Sequence, residues 1–141
     1  MASKEIDIDS DGHFATVLVG LVDNERRELT MANAGHPPAL LLNGERSEFI
    51  EVPVGLPLGI AAPAYDSVTI PLAPHSTLIA YTDGLVERRN ESIDIGLERL
   101  RQSASRDSPS VDYLLTRIVD DFFADHVSDD DTAILAIRWH R

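Results

Sequence analysis

The chain is 141 residues long, with 12 basic against 24 acidic side chains, a formal charge of -12, 43% apolar residues and no cysteine. That length and apolar fraction suit one compact domain with a sizeable core, its acidity coating a folded surface. The charge argues against nucleic acid and anionic membrane surfaces as partners, and the missing cysteines exclude disulfides, thiolate nucleophiles and cysteine metal clusters.

The opening MASKEIDIDSDGH lacks the apolar core of a secretory signal, and no run is long and apolar enough to span a bilayer, so a soluble, cytoplasmic protein is expected. Residues 1–13 read as a flexible acidic arm. Within it Asp7, Asp9, Asp11 and Gly12 match the start of a calcium-binding EF-hand loop, but the twelfth position, where a bidentate Glu is needed, is Leu18 in a strand-like run. A solvated arm is the better reading.

From Phe14 to Asp23 the run FATVLVGLVD, a polar turn at residues 24–26 and then RELTMANAG predict a hairpin. PALLLN and RSEFIEV flank Asn43-Gly44, a strong hairpin signal because both residues tolerate positive φ. PVGLPLGIAAPAY is dense in Pro and Gly without a period and predicts an ordered surface loop. SVTIPL and STLIAYT follow as strands around Pro74-His75. GLERL predicts a short helix, and Val111, Leu114, Leu115, Ile118, Val119, Phe122 and Phe123 recur at helical spacing, with Ser108-Pro109 as N-cap and first helical residue. TAILAIRW returns to strand. Strands, then helices, then one strand argue for an α+β layered domain with helices on a largely antiparallel sheet. Almost no chain precedes the first strand, so a partner for its other face is expected from elsewhere.

Two acidic motifs stand at strand ends. In YTDGLVE a strand runs into Asp83-Gly84, with Glu87 following after two apolar residues. A carboxylate fixed there is held by the sheet and faces an open edge, which suits a metal ligand; an ordinary Asp-Gly turn explains the same letters. In SDDDTAILAIRW, Asp129, Asp130 and Asp131 precede a strand. A hard divalent cation would relieve their repulsion, whereas an acidic loop is the plain alternative. His13, His75, His126 and His140 show no ligand spacing. His36, in the rigid NAGHPP turn, reads more readily as a turn histidine than as a ligand. No Gly-x-Ser-x-Gly elbow or phosphate-binding P-loop occurs.

Taken in order, FATVLVGLVD, MANAGHPPALLL, VGLPLGI, LIAYTDGLVERRN, IGLERL and DDDTAILAIRW resemble the later part of the metal-dependent PPM-type protein serine/threonine phosphatases, in their SpoIIE and RsbU branch. The resemblance covers nearly the whole chain from Phe14. It implies an α-β-β-α sandwich of mainly antiparallel strands with two C-terminal helices, here incomplete, spanning residues 14–141 as the C-terminal part of the domain. It also implies manganese or magnesium ions held by aspartates, which activate water to hydrolyse a phosphoserine or phosphothreonine ester. Carried over by motif, Asp83 and Asp129 are the expected metal ligands, with Asp130 in place of Asp129 if the register slips by one, and Asp131 stands where an apolar residue is more usual. The expected partner is a phosphorylated, anti-anti-sigma-like regulatory protein in bacterial signalling.

The family's first half normally supplies a Gly-Gly-Asp and an Asp-x-x-Gly-His-Gly motif, and neither occurs in this sequence. A two-metal centre needs more ligands than two loops provide. The alternative is therefore a catalytically impaired regulatory or interaction module, and exposed apolar strand faces would favour self-association into a homo-oligomer.

Overall fold

The structure, a computed structural model, describes residues 15–44, 46–59, 65–124, 126–128 and 130–141. The proposed acidic arm and the calcium-loop acids Asp7, Asp9 and Asp11 lie outside the described residues; Leu18 sits in a strand. The chain divides into two compact units, residues 1–36 with 51–72 and residues 37–50 with 73–141.

The first unit is a sheet built on the expected hairpin. Strand β1 (Val17–Asp23) pairs antiparallel with β2 (Glu28–Ala34), from Val17 opposite Ala34 to Asp23 opposite Glu28. The turn between them is closed by Asp23 Oδ1, which accepts from the amides of Glu25 and Arg26 at 3.0 Å each. Alternation along β2 buries Leu29, Met31 and Asn33, as a half-buried strand requires. Strand β6 (Ser67–Pro71) pairs antiparallel with β2, and Thr30 and Thr69 face each other across it with hydroxyls 2.8 Å apart.

One expectation here is corrected. The segment read as a surface loop contains β5 (Val54–Gly55), which pairs parallel with Asn33 and Ala34 of β2, and Leu58 bridges Ala15. A two-residue strand carries no readable period, so the Pro and Gly content masked it. Tyr65 braces the same segment by donating its hydroxyl to the Leu56 carbonyl at 2.7 Å.

The second unit is a four-stranded antiparallel sheet in the order β4-β3-β7-β8, formed by β3 (Leu40–Asn43), β4 (Arg46–Phe49), β7 (Thr77–Tyr81) and β8 (Ile134–Arg138). Asn43 pairs with Arg46, so the hairpin turn lies one residue later than Asn43-Gly44 at its centre, and Gly44 takes the left-handed φ of 59° that the turn demands. Tyr81, buried in this sheet, donates its hydroxyl to the Pro38 carbonyl at 2.6 Å, and burial pushes its phenol up from its ordinary value.

Three helices follow: α1 (Asp83–Val86), α2 (Ile93–Ser105) and α3 (Val111–Phe123). The first is a single helical turn where the sequence offers a strand-end carboxylate or an ordinary Asp-Gly turn. The second is longer than the GLERL pattern indicated, at 13 residues, and is capped by Ser92 Oγ on the Asp94 amide. In α3 the cap is Ser110, whose Oγ accepts from the Tyr113 amide at 3.1 Å, and not Ser108. Ser108 is taken up in the α2–α3 loop, its amide bonded to Asp107 Oδ1 and its hydroxyl to the Arg106 carbonyl. Leu114, Ile118 and Phe122, spaced by four, form the buried stripe of α3 and meet Leu100 and Ala104 of α2 and Leu40, Ile79 and Tyr81 of the sheet.

The α+β class, the antiparallel sheets and the two C-terminal helices are as expected. Exposed apolar side chains stand on β1 (Val19, Leu21) and on β8 (Leu135, Ile137), each the terminal strand of its sheet among the described residues. Among those residues no helix is long and apolar enough to cross a membrane.

Leu100 is fully buried at the centre of the helix–sheet core, so Leu100→Ala should cost about 2–5 kcal/mol, and Ser110→Ala, which removes a cap, about 1 kcal/mol. Urea unfolding of the two variants measures both, and the expected order is fixed: the core truncation is the larger.

Candidate metal centre

Strand β7 ends at Tyr81 and β8 begins at Ile134, and the antiparallel pairing of these two residues carries the motifs beyond them to one end of the sheet. Thr82 then ties the two together. Its amide donates to the Ala133 carbonyl at 3.0 Å, its Oγ1 accepts from the Ala133 amide at 2.9 Å, and the same hydroxyl donates to the Asp131 carbonyl at 3.3 Å. The TDG and DDDT segments are therefore neighbours through backbone bonds, independently of any acidic side chain.

Gly84 makes the approach possible. A Cβ at this position would lie 2.3 Å from the Asp131 carbonyl oxygen and 3.0 Å from Thr132 Oγ1. The first of these is a backbone atom that Thr82 already holds, so it cannot yield cheaply. On the other side Ser128 Oγ lies 2.9 Å from the Gly84 carbonyl and 2.8 Å from the Asp130 carbonyl, and accepts from the Asp130 amide at 3.2 Å.

Asp83 is the first residue of α1 and is half-buried. Asp130 is exposed, and one of its oxygens accepts from the Asp131 amide at 2.8 Å; Asp131 is exposed too. Asp129 lies outside the described residues. Gly84, Asp130, Glu87, Arg88, Glu91 and His126 border a cavity of about 700 Å³ beside these motifs. Glu91 is not free to act as a base there: Arg99 bonds both its oxygens, at 3.2 and 3.0 Å, and this hydrogen bonding holds its carboxyl below the ordinary range. His36 belongs to the first unit, where Asn33 clamps its backbone by donating to the carbonyl and accepting from the amide, both at 2.8 Å.

Among the described residues no three His, Asp or Glu side chains form a ready metal cage. Asp83 and Asp130 are carboxylates on segments joined by backbone bonds, and carboxylate oxygen is the donor type that magnesium and manganese prefer. Thr132 adds a feature missed when only the acids of this motif were weighed. Its Oγ1 is buried and has no hydrogen-bond partner. Buried hydroxyls are nearly always satisfied, so this orphan, packed against Gly84, is a local polar defect beside the acids.

The described fold has counterparts. The sequence model of the family described as Stage II sporulation protein E (SpoIIE) matches residues 3–140. Protein IcfG of Synechocystis sp. is 29% identical over 92 residues, which are 64% of this chain and 14% of that protein. The crystal structure of the RsbU and RsbW domains of Rv1364c from Mycobacterium tuberculosis is similar with a TM-score of 0.78 and 25% identity, over 88% of this chain and 37% of that one. The phosphatase domain of the cell fate determinant SpoIIE from Bacillus subtilis, presoaked with manganese, shares the fold with a TM-score of 0.65 and 19% identity, over 90% of this chain and 57% of that one. This chain thus spans between about a seventh and three fifths of the relatives it matches.

Two substitutions probe the local geometry. Gly84→Ala should force the 131–132 backbone away and destabilise the fold by about 1–3 kcal/mol. Thr132→Val removes an unpaired buried hydroxyl while keeping its volume, and should leave the metal-free chain as stable as before or up to about 1 kcal/mol more so. Thermal melts in chelator check both, and a strongly destabilised Thr132→Val would contradict the unpaired state.

Proposed function

The chain belongs to the SpoIIE family of PP2C-type phosphatases, and we propose that residues 14–141 are the C-terminal part of such a phosphatase domain, acting in the metal-dependent dephosphorylation of phosphoserine or phosphothreonine on a regulatory protein. The observation that supports this best is the Thr82–Ala133 lock, which sets the TDG and DDDT motifs side by side at the sheet end. In this reading Asp83 and Asp129 hold manganese or magnesium, with Asp130 taking the second place if the register is offset by one. When bound, such a cation lowers the pKa of water towards neutrality and offsets charge growing on the leaving alkoxide.

The chain's own residues supply position. The β7–β8 ladder fixes the spacing of the two acidic loops, Gly84 lets them close, and Ser128 ties α1 to the segment that precedes the acids. The adjoining cavity leaves room for the polypeptide that flanks a phosphorylated serine. No serine or cysteine nucleophile is required, in keeping with a sequence that lacks cysteine and any serine elbow. The partner is an anti-anti-sigma-like phosphoprotein; an RsbU domain joined to an RsbW domain in the similar mycobacterial structure supports a place in regulatory partner exchange.

The second reading is an impaired regulatory module of the same fold. The sequence favours it through one fact, that neither Gly-Gly-Asp nor Asp-x-x-Gly-His-Gly occurs in it, leaving the further ligands of a two-metal centre to residues outside these 141.

Hydrolysis of p-nitrophenyl phosphate and of a serine phosphopeptide, with and without manganese, separates the readings. The phosphatase reading expects manganese-dependent turnover that falls at least about 100-fold in Asp83→Asn, the upper end of what loss of a supporting contact to a metal ligand costs. No turnover, together with no tight manganese binding for Asp129→Asn to abolish, selects the module. Turnover indifferent to manganese and to Asp83 would refute the metal centre altogether.

A further inference from the structure

A second cavity, of about 530 Å³, opens at the other end of the same sheet, under the start of β7 and the end of β8. The five residues of β7 separate it from Asp83 by about 16 Å of strand. It lies wholly within the second unit.

Its lining inverts the charge of the molecule. In a protein with twice as many acids as bases, Arg106, Arg138, His75 and His140 face this cavity against the single acid Asp107. Arg138 is the central group. Its Nε donates to Thr77 Oγ1 at 2.9 Å and its Nη1 to the Ser108 carbonyl at 3.2 Å. Both acceptors are neutral, so among the described residues no carboxylate offsets this guanidinium, and its second terminal nitrogen remains available. Arg106 differs, being paired with Asp121. The nearby Arg117 also donates to carbonyls, those of Ser103, Arg106 and Asp107, so guanidinium groups bonded to backbone oxygens hold the α2–α3 loop.

The N-terminus of the 13-residue helix α3 adds to this field. Ser110 Oγ takes the Tyr113 amide, leaving those of Val111 and Asp112 without an intrahelical acceptor, and Ser110 and Val111 both line the cavity. The accessible apolar part of the wall comes from Leu42, Pro109 and Val111. A cationic end, an apolar wall and a volume within the usual range of small-molecule sites together describe the ligand: an anion with a carbon skeleton.

We propose that this cavity binds a small organic phosphate, with its phosphoryl oxygens on Arg138 and the first-turn amides of α3, His75 and His140 flanking them, and its organic part against Leu42 and Val111. The site is separate from the one proposed for hydrolysis and does not depend on that reading.

Calorimetric titration of the chelator-treated protein tests it, with AMP and inorganic phosphate as probes, because removal of metal silences phosphate binding at the Asp83 end. AMP is expected to bind with one-to-one stoichiometry, at least about tenfold more tightly than inorganic phosphate, and less tightly as salt rises. Arg138→Gln and His140→Gln should each weaken it about tenfold, and Asp83→Asn should leave it unchanged. His140 lies beyond β8 and is exposed, so its variant remains informative if Arg138→Gln, which also loses the Thr77 and Ser108 bonds, fails to fold. Absence of AMP binding at millimolar concentration, equal affinity for AMP and phosphate, or binding lost in Asp83→Asn and retained in His140→Gln would each overturn the proposal.

Discussion

Thr82 sits where a strand, a helix and a returning strand must all agree. Its backbone closes the β7–β8 ladder against Ala133 and its hydroxyl spans Ala133 and Asp131, so the acidic segment is tied to the strand that leads into Asp83. Asp130 and Asp131 remain exposed and Asp83 half-buried, so solvent screens their mutual repulsion while the backbone bonds fix the segments that carry them. Gly84 is the other half of the constraint, since a side chain there would occupy the space of the Asp131 carbonyl.

Behind the acids, the helix–sheet core gives the constraint something rigid to rest on. Leu85 and Val86 of the one-turn helix are buried beside Leu100, Ile118 and Phe122, so α1 is anchored by its apolar end while its acidic end faces outward. Arg88 extends that anchorage by donating to the Phe122 carbonyl at 2.9 Å, and Arg99 lies over the Phe122 ring at 5.9 Å while holding Glu91. The cavity beside the candidate centre is therefore walled by groups whose positions are set by the core. The opposite cavity is framed by Arg138, bonded to the Ser108 carbonyl, and by Arg106, paired with Asp121, and the same sheet joins the two ends.

Much of this was legible in the sequence because it rests on local pattern. Alternating apolar residues gave both hairpins, the spacing of Leu114, Ile118 and Phe122 gave α3, and the ordered motifs gave the family. What failed to show was structure made by few residues or by distant ones. The Val54–Gly55 strand is too short for a period, and the helix cap moved from Ser108 to Ser110 because Asp107 and Arg106 claim Ser108 for the loop. Of the candidate site, the acids were visible as letters, but the Thr82 lock and the orphan Thr132 hydroxyl require knowing which segments meet, 49 to 51 residues apart in the bonds of Thr82. Arg138 reads in sequence as one more strand-end cation; only the fold brings it to Ser108.

The central claim is that the TDG and DDDT loops act as one cation-binding unit because the backbone holds them together. A double-mutant cycle on manganese affinity, followed by electron paramagnetic resonance of the free ion in Asp83→Asn, Asp129→Asn and the double variant, tests it most directly. Ligands of a shared ion are coupled, so the account predicts that each single variant loses nearly all the affinity that the pair loses together. Two losses that simply add, or affinity retained in either single variant, would contradict it.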